Sequence, residues 1–269
     1  MSAKRNNFEK LRVLQSEKKV EVDGTFPLIL QIEPTNACNA RCPLCPAGTK
    51  TLQRKTRMLD FNLYTQIIDE ALEFMPDLVM WNYGEPFIHP KIYEMIAYAT
   101  SRGFDMRVST NGFPFEKEHD VALLAQSGLT TLIVSIDGIN QETHSRYRIG
   151  TNLDKILKGL RMLQTYKETN RNPKPQIIIQ TLAFSFNENE ISEILALTQE
   201  LGAKFQVKSA NLEMVKLPHN QKIDFLPTNK NLPIRYNTDL EKIELKNHYW
   251  NYCPKLWKEL VINSDGTVV

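Results

Sequence analysis

From residue 28 onward the chain alternates between two rhythms of apolar positions. Runs rich in β-branched and aromatic residues recur at 28–33, 78–81, 105–109, 131–136, 176–184 and 204–208, and each is read as a strand. Longer segments at 62–75, 90–102, 117–126, 153–166 and 190–201 repeat their apolar positions at helical spacing. Gly103, Gly128 and Gly202 stand just past such helical runs, where a left-handed closing residue is favoured. Strand and helix alternating in this way predict parallel βαβ units, and six of them suit an α/β fold built as a partial (β/α)6 TIM-like barrel of parallel strands.

The flanks behave differently. Residues 1–26 are largely polar, with apolar Phe8, Leu11 and Leu14 at helical spacing, which predicts a short amphipathic lead-in helix and then a turn at Asp23-Gly24. The core barrel is expected over 27–210. Over 211–252 the periodicity weakens and Pro218, Pro227 and Pro233 interrupt any long element, so this stretch is read as a connector. The last segment, 253–269, carries a strand pattern, the turn Ser264-Asp265-Gly266 and the start of a second strand, which is a short C-terminal extension ending in a β-hairpin.

Charge and composition narrow the function. With 33 Lys+Arg against 31 Asp+Glu the chain is near balance at +2, which argues against the basic footprint of a nucleic-acid binder. No window approaches the ~20 apolar residues of a membrane span, and the N-terminus has no signal-peptide core. A cytoplasmic protein with neither nucleic acid nor membrane as partner is expected. Four cysteines are too few for a disulfide scaffold, and three of them, Cys38, Cys42 and Cys45, fall within eight positions. Such crowding points to a metal.

The triplet follows the first strand directly, with three and then two residues between its thiols. Thiolates at that spacing can face one iron–sulfur cubane from a single loop, and three of them leave one iron without a protein ligand. A zinc site completed by a distant fourth ligand, and three incidental cysteines, are the alternatives. Zinc more often uses paired short spacings closed by further Cys or His, and no second pair is present.

Further motifs stand at the ends of later strands: Trp81-Asn82-Tyr83-Gly84-Glu85-Pro86, Ser109-Thr110-Asn111-Gly112 and Ser135-Ile136-Asp137-Gly138, followed by His144 and Arg148. Together with the cysteine loop, this ordered set resembles the signature of the radical S-adenosylmethionine (SAM) enzymes over roughly residues 28–209. Tyr83 replaces the first glycine of that family's Gly-Gly-Glu-Pro motif. The resemblance implies a 4Fe-4S cluster on Cys38, Cys42 and Cys45, with SAM as the second cofactor. It implies SAM contacts from Leu44, Gly84, Glu85, Ser109, Asn111, Ser135 and Arg148. Among these, Glu85 would meet the ammonium, Arg148 the carboxylate, Ser135 the ribose or carboxylate end, and the backbone at Leu44 the adenine.

Read singly, these residues say less. Asn111-Gly112 and Asp137-Gly138 are common turns, and Glu85 and Arg148 are ordinary loop charges; only their places at strand ends lift them. Lys208, at the end of the sixth strand, is expected to be solvated or structural. The basic run Lys50, Arg54, Lys55 and Arg57 is read as a solvated loop, with attraction of an anionic substrate or an acidic reductant as the alternative. His89, His119, His219 and His248 show no ligand spacing and are read as packing or surface residues.

The segment from Cys253 resembles the opening of a SPASM-type auxiliary domain, in which further cysteines hold one or two more iron–sulfur clusters. That resemblance makes Cys253 a candidate ligand of an auxiliary 4Fe-4S cluster and implies that the native chain continues past Val269. In the family, the reduced cluster cleaves SAM to methionine and a 5′-deoxyadenosyl radical that abstracts hydrogen from a substrate carbon, and a flavodoxin- or ferredoxin-type electron donor is implied. The expected substrate is a small molecule, a sugar or aminocyclitol that is oxidised or epimerised, because the 26 residues before the barrel are too few for a leader-peptide-binding domain. A peptide-modifying maturase is the alternative, and a non-catalytic, metal-stabilised binding module is the alternative of another class.

Overall fold

The computed structural model describes residues 27–234, 236–239, 242–245, 255 and 258–269; the expected lead-in helix at 1–26 and Cys253 lie outside the described residues. Six strands, β1 (Ile29–Ile32), β2 (Asp77–Val79), β3 (Met106–Thr110), β4 (Thr131–Ser135), β5 (Gln176–Ala183) and β6 (Lys204–Ser209), lie side by side in chain order. Every pair is parallel. The helices α1 (Phe61–Ala71), α2 (Ile92–Thr100), α3 (Glu118–Gln126), α4 (Gln141–Tyr147), α5 (Leu153–Thr169) and α6 (Ile191–Glu200) occupy the crossovers. The stretch read as a connector holds the short helix α7 (His219–Ile223) and an antiparallel ribbon of β7 (Tyr236–Asp239) with β8 (Lys242–Leu245).

Local chemistry explains the helix starts. Asp60 caps α1 by accepting from the backbone N–H groups of Asn62 and Leu63, both at 2.9 Å, and Asn152 caps α5 through Lys155 N–H at 2.9 Å. The seven-residue α4, Gln-Glu-Thr-His-Ser-Arg-Tyr, is an addition to the expected elements. It has no apolar stripe to announce it, and Asn140 starts it by accepting from Thr143 N–H at 2.9 Å.

The sheet stays open. All five residues of β4 are buried, because helices or the site cover both faces, whereas β6 alternates exposed and half-buried residues as an edge strand does. At the other edge the expected C-terminal hairpin is present, and its first strand, β9 (Glu259–Ile262), extends the main sheet. It pairs with β1 in parallel from Ile29↔Glu259 to Ile32↔Ile262, making β9 the seventh strand. The chain then turns back, and Val261 and Val269 exchange both backbone hydrogen bonds at 3.1 and 2.9 Å.

Glu33, one residue past β1, is buried beneath this junction. Its carboxylate accepts both arms of Arg54 at 2.8 Å, Ser264 Oγ at 2.7 Å, and the backbone N–H groups of Tyr83 and Ser264 at 3.1 and 3.2 Å. One side chain therefore ties the cysteine loop, the end of β2 and the hairpin turn together. Arg54 corrects the solvated-loop reading of the basic run, since it forms a bidentate ion pair.

Burial by itself would raise the Glu33 carboxyl, but the donors from Arg54, Ser264 and Tyr83 outweigh it and hold the group below its ordinary value of 4.5. Its stabilisation is therefore complete at neutral pH and is lost as pH falls below that value and through the folded one. Glu33→Gln is expected to destabilise the protein by about 3 kcal/mol at neutral pH, because Arg54 keeps its charge and loses its partner. Urea unfolding checks this: the gap between wild type and variant should narrow on acidification to about pH 3, and a pH-independent gap would contradict the ion pair.

Candidate functional site

The C-terminal ends of the parallel strands carry the motifs, and they enclose one cavity of about 340 Å³. Cys38, Cys42, Leu44, Cys45, Gly84, Glu85, Ser109, Asn111, Ser135 and Arg148 all line it. Every candidate residue within the described part of the chain thus meets at one place. Lys208 is not in the lining; it is an exposed residue of β6. A larger groove of about 870 Å³ runs along residues 154–170 of α5 and the turn after it. It is walled by that one segment on the outer surface and carries no cysteine, so the chemistry belongs to the smaller cavity.

Gly84 sets how closely two walls approach. Its φ of +79° is a left-handed conformation, and a Cβ there would meet the carbonyl oxygens of Thr35 at 2.3 Å and Ala37 at 2.7 Å. The end of β2 is therefore pressed against the backbone that leads into Cys38. Tyr83, which stands where the family motif has its first glycine, donates its backbone N–H to Glu33 and still leaves this approach open.

Glu85 is 1% exposed. Its carboxylate accepts Thr110 Oγ at 2.8 Å, Asn111 N–H at 2.7 Å and Phe87 N–H at 3.2 Å. Burial pushes the carboxyl up to about 7 even though these donors favour the charged form. With three donors placed, a carboxylate retains acceptor capacity for one more partner.

Arg148, just past α4, is held by Asp137: its Nε donates to Asp137 Oδ2 at 2.5 Å, and Nη1 lies 3.9 Å from Cys42 Sγ. Burial opposes the guanidinium charge, but Asp137 and the neighbouring thiol outweigh it and hold Arg148 above its ordinary value. The Asp137-Gly138 turn is thus more than a turn, because Asp137 is a fully buried counter-ion whose other oxygen accepts Leu182 N–H at 2.7 Å. His144 is buried on α4, and burial pulls its pKa down to about 4, so it is neutral. Its Nδ1 accepts from Asp137 N–H at 3.3 Å, which assigns the proton to Nε2 beside Thr151 Oγ1 at 2.9 Å. His89 is likewise a packing residue, with Nε2 on the Leu59 carbonyl at 2.9 Å.

The three thiols come from one loop. Burial pushes Cys38 up to about 12, and it raises Cys42 despite the nearby Arg148. Left bare, these two sulfurs stay protonated at neutral pH. Both nonetheless face N–H donors suited to thiolates: Asn111 Nδ2 lies 3.7 Å from Cys38 Sγ, and Arg148 Nη1 faces Cys42. Soft donors in a buried pocket, with hydrogen bonds already aimed at their charged form, fit a thiophilic centre that displaces the protons. Among the described residues, no three His, Cys, Asp or Glu side chains are gathered as a single metal ion needs; the three thiols all line the same cavity.

The profile of the Radical SAM superfamily matches residues 32–198. This chain belongs to that superfamily. Its members bind a 4Fe-4S cluster and SAM, so this radical SAM protein has those two cofactors, and Cys38, Cys42 and Cys45 are its only described cysteines. It is 30% identical over 178 residues to the AdoMet-dependent heme synthase of Methanosarcina barkeri, covering 66% of this chain and 48% of that protein. It is 29% identical over 180 residues to a tungsten-containing aldehyde ferredoxin oxidoreductase cofactor-modifying protein of Pyrococcus furiosus, covering 64% and 48%. The chain spans about half the length of the curated relatives it matches. In fold it is similar to SuiB of Streptococcus suis bound to SAM, with a TM-score of 0.67 over 98% of this chain and 64% of that one, at 15% identity. No helix among the described residues is long and apolar enough to cross a membrane.

The close approach at Gly84 is testable against a second glycine. Gly103 also has positive φ, +89°, but a Cβ there meets only the Met75 side chain at 3.8 Å. Gly103→Ala should cost about 1–2 kcal/mol of backbone strain, and Gly84→Ala more, because its Cβ also meets two carbonyl oxygens, both read by thermal unfolding. Only Gly84→Ala should lower the iron bound per chain after anaerobic reconstitution, and equal iron in the two variants would contradict the contact.

Proposed function

We propose that this chain is the catalytic core of an enzyme that cleaves SAM reductively and removes hydrogen from a carbon of a small, hydroxyl-rich substrate. The observation that carries the reading is the convergence of the three thiols with Glu85, Asn111, Ser135 and Arg148 on one cavity at the strand ends. When bound, the reduced cluster supplies the electron that divides SAM into methionine and a hydrogen-abstracting adenosyl fragment.

Each residue has a role in that scheme. Cys38, Cys42 and Cys45 would hold the cluster through their thiolates, and as three ligands rather than four they would leave it able to take SAM. Glu85 receives the SAM ammonium with its remaining acceptor capacity. Arg148 keeps Nε on Asp137 and offers its Nη groups to the SAM carboxylate. Ser109 and Ser135 hydrogen-bond the ribose and carboxylate ends, Asn111 supports the Cys38 sulfur, and the backbone at Leu44 meets adenine. Gly84 allows the SAM-facing turn to lie against the cluster loop.

The rest of the lining supports the substrate class. Gln180 and Asn211 bring amide groups from β5 and from the loop after β6, which suits the hydroxyls of a sugar or aminocyclitol that is oxidised or epimerised. The names of the two curated relatives, a heme synthase and a cofactor-modifying protein, also point to small molecules. The electron comes from a flavodoxin- or ferredoxin-type carrier, and the reducing cytoplasm keeps the thiols available for iron.

Anaerobic reconstitution with iron and sulfide should give a brown protein that forms 5′-deoxyadenosine from SAM and dithionite. A fully loaded protein that forms none would overturn the reading. Glu85→Gln should keep the colour and weaken SAM binding about tenfold or more, the loss of one charge-assisted hydrogen bond, measured by equilibrium dialysis. Deuterated aminocyclitols and sugars should pass deuterium into 5′-deoxyadenosine; transfer from a deuterated peptide instead would move the protein to the maturases.

A further inference from the structure

Residues 34–59, from the end of β1 to the cap of α1, contain Arg41, Lys50, Arg54, Lys55 and Arg57 and no Asp or Glu, although the whole chain carries only +2. Arg54 is committed to Glu33. The other four side chains are exposed and enter no ion pair among the described residues. Their backbone is not a free loop. Thr35 and Met58 form an antiparallel bridge, Thr35 Oγ donates to the Arg57 carbonyl at 2.7 Å, Asn36 Nδ2 donates to the Lys55 carbonyl at 3.0 Å, and Arg57 N–H donates to Asn36 Oδ1 at 2.8 Å. Lys55 and Arg57 are thus pinned beside the strand exit that leads to Cys38.

Next to this basic strip lies a second cavity of about 400 Å³, walled by Cys38 with Pro46, Ala47, Lys50, Leu52 and Arg54 among others. Among the described residues, no acidic side chain lines it, and Cys38 is the only residue it shares with the inner cavity. A small molecule seated here meets the inner site only at a cysteine. An electron needs no more than that.

We infer that Lys50, which lines this outer cavity, and Lys55 and Arg57, which flank its lining residue Thr56, form the docking face for an acidic one-electron carrier protein, which delivers its electron through the Cys38 side of the loop. The inference rests on the proposed function in requiring a redox centre on the three cysteines. In the step, the carrier is oxidised by one electron and the cluster is reduced by one, with no bond made or broken. A strip of exposed cations on a hydrogen-bonded backbone attracts an acidic surface and orients it on approach, so its main effect is on the association rate, and it is screened by salt.

The test uses an acidic flavodoxin, reduced to its hydroquinone, as the probe and follows bleaching of the cluster's visible absorption by stopped flow. Lys55→Glu with Arg57→Glu should lower the bimolecular rate about tenfold at low ionic strength and flatten its salt dependence. Dithionite should lose far less of its rate than flavodoxin does, since a small anion feels the altered field but needs no docking face. The milder pair Lys55→Gln with Arg57→Gln should shift the rate in the same direction by less, and Lys204→Glu, on exposed β6, should not shift it. Unchanged flavodoxin rate and salt dependence in the charge-reversed protein would overturn the inference. A wild type reduced by flavodoxin in this charge-dependent way, but forming no 5′-deoxyadenosine, would support the docking face and overturn the catalytic reading alone.

Discussion

A parallel sheet returns the chain to the same edge before each new strand, so all its strands finish on one rim, and here that constraint gathers the site. Cys38, Gly84, Asn111, Ser135 and Arg148 span more than a hundred positions of sequence and still line one cavity. The open edge serves the same end. Because the sheet does not close, β9 can add beside β1, and its turn reaches Glu33 behind the cysteine loop.

Three buried carboxylates show how the rim handles charge. Glu33 and Asp137 each face an arginine. Among the described residues Glu85 accepts from hydroxyl and backbone donors and forms no ion pair, and burial pushes its carboxyl up to about 7. The two matched pairs fix walls: Glu33–Arg54 holds the loop that follows the cysteines, and Asp137–Arg148 aims a guanidinium at Cys42. The unmatched carboxylate is the one that keeps room for an incoming cation, and for that reason the proposed contact with the SAM ammonium falls on Glu85 rather than on either of the others.

Much of this was legible in the sequence. The six strands appear within a few residues of where their apolar runs stand, because a strand buried in a parallel sheet must be locally apolar and β-branched. The cysteine spacing, together with the family resemblance that the strand-end motifs carry, singled out ten residues that share one cavity. The misses have physical causes. Helix α4 lacks an apolar stripe and is held by a cap and by its contacts. Arg54, read as solvated, belongs to an ion pair whose partner lies 21 positions earlier and carries no local mark. Asp137, read as part of a turn, is a buried counter-ion, and the turn pattern is the same in either case.

The sequence by itself determined the alternation of strand and helix, the metal-binding spacing of the thiols and the placing of each motif at a strand end, because these depend on neighbours within a few residues. Only the tertiary structure decided that β9 lies parallel to β1, that Ser264 bonds Glu33 across 231 positions, and that Asp137 rather than solvent holds Arg148. It also decided that Cys38 stands between two cavities. Such pairings are chosen by packing and register among surfaces distant in the chain, and periodicity along the chain carries no record of which distant surface will arrive.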